Sequence, residues 1–374
     1  MQNRGPAFRI GLALCAALAA GIALRPAAGQ TAPAADRRPA RNMDSFYQLG
    51  PDSLPHDGVP HGKLIGPLEC ATTVYSGPVP QSTQQTGADS LTSLSAAAKS
   101  PMHYTHGYWI YVPAQYDPSK PAALIVFNDG QPMMNPRGDI RAMNVIDNLT
   151  WRREMPVAIT VFLDPGRPAG TPEPDLTRNW GDNTTLRPWE YQWLDGKYSK
   201  VVCDEILPAV AKDFNISKDP NMHAIMGASS GGIAAFTVAW DRPDTFRKVI
   251  SIVGSFTRIR GGQGDSYPEQ IKAADKKPLR VFFQDGVNDN RNADPARDWH
   301  TQNVRLVNAM TDKGYDISYS FGIGLHGQKQ GGAMLPEMMR WLWRDYPRDS
   351  DPANQTERAF NAPFESPAAV PGQK

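Results

Sequence analysis

Short apolar runs alternate with helix-length segments from Tyr108 to Trp343, and that rhythm constrains the fold more than any other feature of the chain. The runs are 108–112 (YWIYV, closed by Pro113), 122–127 (AALIVF), 156–163 (PVAITVFL), 224–226 (AIM), 248–253, 279–283 and 317–321. Apolar residues at consecutive positions, rather than at every second one, mark strands covered on both faces, the condition of a parallel sheet between helices. The segments 137–149, 198–213, 231–240, 298–313 and 335–343 carry helical spacing and supply the crossovers that parallel strands need. The expectation is an α/β fold with a mostly parallel central sheet and helices on both faces. Ligands in such sheets sit at the carboxyl ends of the strands. The turns that follow each run therefore hold the candidate functional residues.

The flanks read differently. Arg4 and Arg9 precede an apolar stretch over 10–24, and Ala27-Ala28-Gly29 supplies small residues before Gln30. This is the pattern of a cleaved signal peptide over 1–29, and it implies a periplasmic or secreted protein. The stretch is shorter than the ~20 residues of a comfortable membrane span, and Leu14 before Cys15 does not suit a lipid anchor. No membrane association is expected once the signal is removed. Residues 30–65, rich in Pro, Ala, Arg and Gly, read as a linker or loosely ordered arm. A catalytic domain is expected over 66–348, with a Ser/Thr/Ala-rich surface loop at 84–100 and a disordered tail over 349–374. A formal net charge of +1 and the lack of a dense Lys/Arg run argue against a nucleic-acid partner. Beyond the signal only Cys70 and Cys203 remain; whether they pair is open, and neither has metal-ligand spacing. His103 and His106, three apart, have no third ligand near them. No cofactor or metal is implied, and the oligomeric state is not legible.

One strand-ending turn reads Gly227-Ala228-Ser229-Ser230-Gly231, a Gly-x-Ser-x-Gly pattern between a short strand and a small-residue helix. That context makes the pattern informative. A serine on a sharp strand-to-helix turn is lifted clear of the sheet, and glycines on either side leave room for the close approach. The helix N-terminus aims N–H groups where an oxyanion would form. The plainer alternative is a Gly/Ser loop with Ser229 or Ser230 as an N-cap. Ser229 is the candidate nucleophile.

A serine hydroxyl needs a general base and a group to orient it. Only His300 and His326 follow the serine. His326 lies in a Gly-rich loop beyond the last strand and is the candidate base; His300 is expected at the rim. The acid should follow the run 279–283, where Asp285 and Asp289 compete. Asp289, deeper in the loop after Gly286, is favoured, with Asp285, Asp294 and Asp298 as alternatives. The backbone N–H of Ser230 and of Gln131, in the Asn128-Asp129-Gly130-Gln131 turn, are the candidate oxyanion donors.

These motifs, with Tyr111-Val112-Pro113, Arg187-Pro188-Trp189-Glu190-Tyr191, Glu205-Ile206-Leu207-Pro208, the trailing Gly232 and Gly324-Leu325-His326, resemble the esterase family that contains enterochelin esterases, S-formylglutathione hydrolases, feruloyl esterases and mycolyltransferases. The resemblance runs from about Trp109 to Tyr346, and its Asp-Gly turn is closest to the enterochelin-esterase branch. It implies an α/β-hydrolase fold and cofactor-free carboxylic ester hydrolysis by Ser229, Asp289 and His326. It also implies that Trp189, Glu190 and Tyr191 lie on the substrate side. Aromatic residues Trp180, Trp189, Tyr191 and Trp193 suit stacking on a sugar or phenolic acyl group, or plain packing. The expected partner is a small-molecule or glycan ester, polysaccharide-linked or siderophore-type. The rivals are acyl transfer to a sugar hydroxyl by the same triad and a non-catalytic binding module.

Overall fold

The computed structural model describes residues 43–77, 103–177 and 185–346. One nine-stranded sheet organises them. Its strands are β1 (Lys63–Ser76), β2 (His103–Val112), β3 (Ala123–Asn128), β4 (Ala158–Leu163), β5 (Arg167–Pro168), β6 (His223–Ala228), β7 (Lys248–Ile252), β8 (Arg280–Gly286) and β9 (Asp316–Gly322). The order is β1-β2-β4-β3-β6-β7-β8-β9, with β5 paired to β2. From β4 to β9 every pairing is parallel; β1–β2, β2–β4 and β2–β5 are antiparallel.

The central strands β3, β4, β6 and β7 are buried at every position. Their side chains alternate between two cores, as a period of two requires. Leu124 and Val126 face a core with Val201, Phe236 and Leu306, whereas Ile125 and Phe127 face one with Val145, Leu149 and Met338. Helices thus cover both faces, as the continuous apolar runs predict.

Several elements differ from expectation. The helix predicted over 137–149 is split: Gly130–Met134 opens right after β3, and Ala142–Trp151 follows. The segment 198–213 is helical over Lys197–Val210 but widens to a π turn at Val201–Ile206, where Leu207 N–H reaches Val202 O. Pro208 has no N–H to give Asp204, which accounts for the irregular turn there. The last helix starts at Lys329, earlier than 335, and carries Gly331, Gly332 and Pro336 inside it. A Cβ on Gly332 would lie 1.8 Å from Asp139 O, so glycine permits close packing here rather than ending the helix.

The reading of 30–65 as a linker or loose arm is corrected for its described part. A compact unit begins at Asn42, and β1 already starts at Lys63. Asp52 is buried and takes guanidinium hydrogen bonds from Arg152 and Arg340. Asn148 Nδ2 donates to Asp52 O and Leu54 O, each at 2.9 Å. Tyr47 Oη and Asp44 Oδ1 accept the Ile323 and Leu325 N–H groups, both at 2.8 Å. Cys70 and Cys203 are free thiols, and burial pushes the Cys203 thiol up to about 12. Among the described residues no helix is long and apolar enough to cross a membrane. The signal segment 1–29, the loop 84–100 and the tail 349–374 lie outside the described residues.

Candidate active site

The carboxyl ends of β3, β4, β6, β8 and β9 converge on one side of the sheet. At the end of β6, Ser229 adopts φ 56°, ψ −122°, a conformation costly for a residue with a Cβ and characteristic of strained functional turns. The turn is locked from both sides: Ser229 N–H donates to Ile252 O at 2.8 Å and Ser255 N–H donates to Ser229 O at 3.0 Å. Gly227 and Gly231 are required by contact, since a Cβ on Gly227 would meet Gly231 O at 2.5 Å and one on Gly231 would meet Asp129 Oδ2 at 2.8 Å. Ser230 opens the helix Ser230–Asp241, where the first N–H groups have no intrahelical acceptor.

Ser229 Oγ lies 2.8 Å from His326 Nε2, and His326 Nδ1 lies 2.5 Å from Asp289 Oδ1. The structure therefore brings Ser229, His326 and Asp289 into one line. Asp289 is buried, whereas the His326 side chain is partly open to solvent. The alternative acid Asp285 is also buried but faces His300 Nδ1 at 3.2 Å rather than His326. Burial, reinforced by the hydrogen bond and charge of Asp289, pushes Asp285 up to about 10. Asp298 and Asp294 act locally. Asp298 Oδ1 caps the helix Trp299–Asp312 by accepting Thr301 N–H at 2.8 Å, and Asp294 Oδ1 accepts Ala296 N–H at 3.0 Å.

Two contributors went unseen in the sequence. Ser255 Oγ sits 3.1 Å from Ser229 Oγ and accepts Trp299 Nε1–H at 2.9 Å. Because the indole supplies one proton to Ser255, the Ser255 hydroxyl can donate to Ser229, which leaves the Ser229 proton for His326. The Trp299 ring stands edge-on to His326, with centroids 5.5 Å apart. No spacing links positions 229, 255 and 299; only the parallel order β6-β7-β8 joins them.

Three expectations need correction. The Gln131 N–H, expected as an oxyanion donor, is engaged by Asp164 Oδ1 at 3.1 Å, while Gln131 Nε2 donates to Asp164 Oδ2 at 2.6 Å. Burial pushes Asp164 up to about 8 even though both Gln131 donors pull it down. Glu190 is buried against His106 Nε2 at 2.7 Å and accepts Gly166 N–H at 2.9 Å. Tyr191 is buried as well; its Oη accepts Asp129 N–H at 3.3 Å and its ring packs on Tyr198. Glu190 and Tyr191 thus brace the turns after β3 and β4 instead of facing a substrate. The same segment supplies Arg187, whose Nε and Nη2 bind Asp129 Oδ1 and Oδ2 at 2.7 and 2.8 Å in a buried, two-point pair. Trp189 lines a cavity of about 300 Å³ with Tyr75, Tyr104, Leu186 and Trp193; none of Ser229, Asp289 and His326 is in its wall. Trp180 lies outside the described residues.

A family model described as Putative esterase matches residues 95–342, most of the chain. The chain belongs to this esterase family. A Bacillus subtilis (strain 168) protein, the uncharacterized YbbA, is 18% identical over 244 residues, 63% of this chain and 92% of that protein. The enterobactin esterase FES from Shigella flexneri, crystallised with 2,3-dihydroxy-N-benzoyl-serine, superposes with a TM-score of 0.51 at 21% identity. The match covers 64% of this chain and 56% of that one. Ferric enterobactin esterase from Salmonella typhimurium gives 0.50 at 21% identity, covering 64% and 55%. These likenesses support the α/β-hydrolase fold for this chain. The chain spans little more than half the length of the enterobactin esterases it matches.

Proposed function

We propose that this chain is an exported serine carboxylic ester hydrolase acting by two-step acyl transfer. The observation that carries the reading is the line from Ser229 Oγ through His326 to Asp289 Oδ1, closed at 2.8 and 2.5 Å on a strained strand-to-helix turn. His326 Nε2 takes the Ser229 proton as Oγ bonds to the ester carbonyl carbon. Asp289 holds the imidazole by its Nδ1–H and stabilises the cation that forms. Charge developing on the carbonyl oxygen meets the Ser230 N–H at the helix N-terminus. The imidazolium then protonates the leaving alcohol, and water, deprotonated by the same nitrogen, frees the acid.

The substrate we infer is an extracytoplasmic ester, polysaccharide-linked or siderophore-type. Export rests on the signal pattern over 1–29. The likeness to an enterobactin esterase supports a siderophore-type ester. The test is hydrolysis of p-nitrophenyl acetate, p-nitrophenyl butyrate, methyl ferulate and a trilactone siderophore by the wild type and by Ser229→Ala. Turnover of one or more by the wild type and loss in a folded Ser229→Ala supports the mechanism. Equal activity in the two proteins refutes it.

A further inference from the structure

We propose that Asp285 is a positioning residue of this site: as a neutral carboxylic acid it donates its proton from Oδ1 to Asp289 Oδ2, and so holds the Asp289 carboxylate against His326. The inference rests on reading Ser229, His326 and Asp289 as the triad.

Two unmatched oxygens point to it. Asp289 Oδ1 is occupied, accepting from His326 Nδ1 and from Asn290 N–H, each at 2.5 Å. Asp289 Oδ2 is buried and has no donor among the described residues. Asp285 repeats the pattern: Oδ2 faces His300 Nδ1 at 3.2 Å, while Oδ1 is buried without a donor. The turn after β8, closed by Asp289 N–H on Gly286 O at 2.9 Å, folds the Asp289 side chain back toward Asp285, and the charge of Asp289 bears directly on the Asp285 carboxyl. If both were ionised, two buried like charges would adjoin with an unsatisfied oxygen on each, an arrangement that strongly raises one of the two proton affinities. A single proton between them satisfies both oxygens and removes one charge.

The surroundings decide which carboxyl keeps that proton. Asp289 Oδ1 takes two N–H donors at 2.5 Å, whereas Asp285 has the His300 ring at 3.2 Å and the Gly286 N–H, so the closer donors lie on Asp289. Burial raises Asp285 further. The other ionisable groups facing the pair are Asp298 and His300 from the helix Trp299–Asp312, Arg291 from the loop after β8, and His326 from the loop after β9. Arg291 Nε is neutralised by Asp298 Oδ2 at 2.9 Å. Burial, followed by the charge of Arg291, lowers the proton affinity of His300 and keeps its ring neutral. Donors and acceptors then run in one direction: His300 Nδ1–H to Asp285 Oδ2, Asp285 Oδ1–H to Asp289 Oδ2, His326 Nδ1–H to Asp289 Oδ1, and Ser229 Oγ–H to His326 Nε2. The neutral acid fixes Asp289 without adding a second buried negative charge to the site.

The test compares pH profiles of Asp285→Asn and Asp285→Leu, with Ser229→Ala alongside. Asparagine keeps a neutral donor for Asp289 and an acceptor for His300. Asp285→Asn is therefore expected to keep kcat within about threefold and to leave the acid limb of kcat/KM in place. Leucine removes the donor, and kcat is expected to fall about 10- to 100-fold with KM little changed, the effect of losing one hydrogen bond to a buried charged group. If Asp285→Asn instead moves the acid limb down by about one pH unit while Ser229→Ala is inactive, Asp285 is ionised and the proposal fails, though the triad stands. A folded Asp285→Leu with full kcat also overturns it. An active Ser229→Ala sinks the triad reading and this inference with it. Should Asp285→Leu not fold, infrared difference spectra of the wild type and Asp285→Asn at neutral pH decide. The wild-type-minus-Asp285→Asn difference must show a protonated-carboxyl C=O band, the contribution of Asp164 cancelling between the two; a difference without it refutes the assignment.

Discussion

Replacing Asp52 by Ala is expected to loosen the N-terminal segment and destabilise the whole unit. Asp52 sits under the helices Ala142–Trp151 and Lys329–Leu342, and its two carboxylate oxygens each take a guanidinium, from Arg152 and from Arg340. A charge-assisted hydrogen bond contributes about 1.5–3 kcal/mol in a protected site. Both arginine side chains are about one quarter exposed, and Arg340 keeps Glu154 and Glu337 as partners, so the lower end applies to each and the loss is about 3 kcal/mol. For a domain of this size that corresponds to a fall in Tm of about 6 °C. The pH dependence has a fixed sign. Burial alone would raise the Asp52 carboxyl, but Arg340 and Arg152 outweigh it and hold it below its ordinary 3.8. A group with a depressed folded value contributes stability above its unfolded pKa and loses it as pH falls through the folded one. Urea midpoints of wild type and Asp52→Ala should therefore differ by a constant amount from pH 5 to 8 and converge below about pH 4. A gap under about 1 kcal/mol at pH 7, or one that persists undiminished at pH 3, refutes this account of how the segment is held.

Asp289→Asn is expected to lower kcat by about 10⁴ with little change in KM, because the amide disfavours the His326 tautomer that accepts the Ser229 proton; a loss below tenfold would assign the acid elsewhere. Arg187→Met leaves the buried Asp129 carboxylate without its two-point partner, and urea unfolding should register about 3–5 kcal/mol of destabilisation. An unchanged midpoint would mean that the 129–131 turn is held by other contacts.

The sheet was legible where burial is two-sided. Strands β3, β4, β6 and β7 are apolar at nearly every position because both faces are covered, so their runs announce themselves. Strand β1 did not, although it is the longest at 14 residues. It is an edge strand, mostly exposed, with Gly66 and Pro67 inside it, and such strands have neither the continuous run nor clean alternation to read. Gly331 and Gly332 pushed the expected start of the last helix to 335 because glycine ordinarily signals a loop. Here they are required by Ile252 and by the Asp139 carbonyl, neighbours that only the assembled fold supplies.

The site divides along the same line. The placement of Ser229 was legible because its surroundings are local: strand, strained turn and helix lie within one short window. His326 and Asp289 were legible by chain order and position after a strand. Gln131 failed as a donor because an acceptor from the end of the next strand, Asp164, competes for its N–H, and nothing near position 131 announces that rival. Glu190 and Tyr191 were misplaced for a related reason. A motif that looks functional because it is polar and aromatic holds, through Arg187, Glu190 and Tyr191, the turns after β3 and β4. The Asp285–Asp289 contact lies between these cases. Both residues are visible in one loop, and either suits the role of acid in isolation. Only burial, which denies both oxygens a solvent partner, turns the choice between them into a division of labour: one carboxylate to hold the imidazole and one neutral acid to hold the carboxylate.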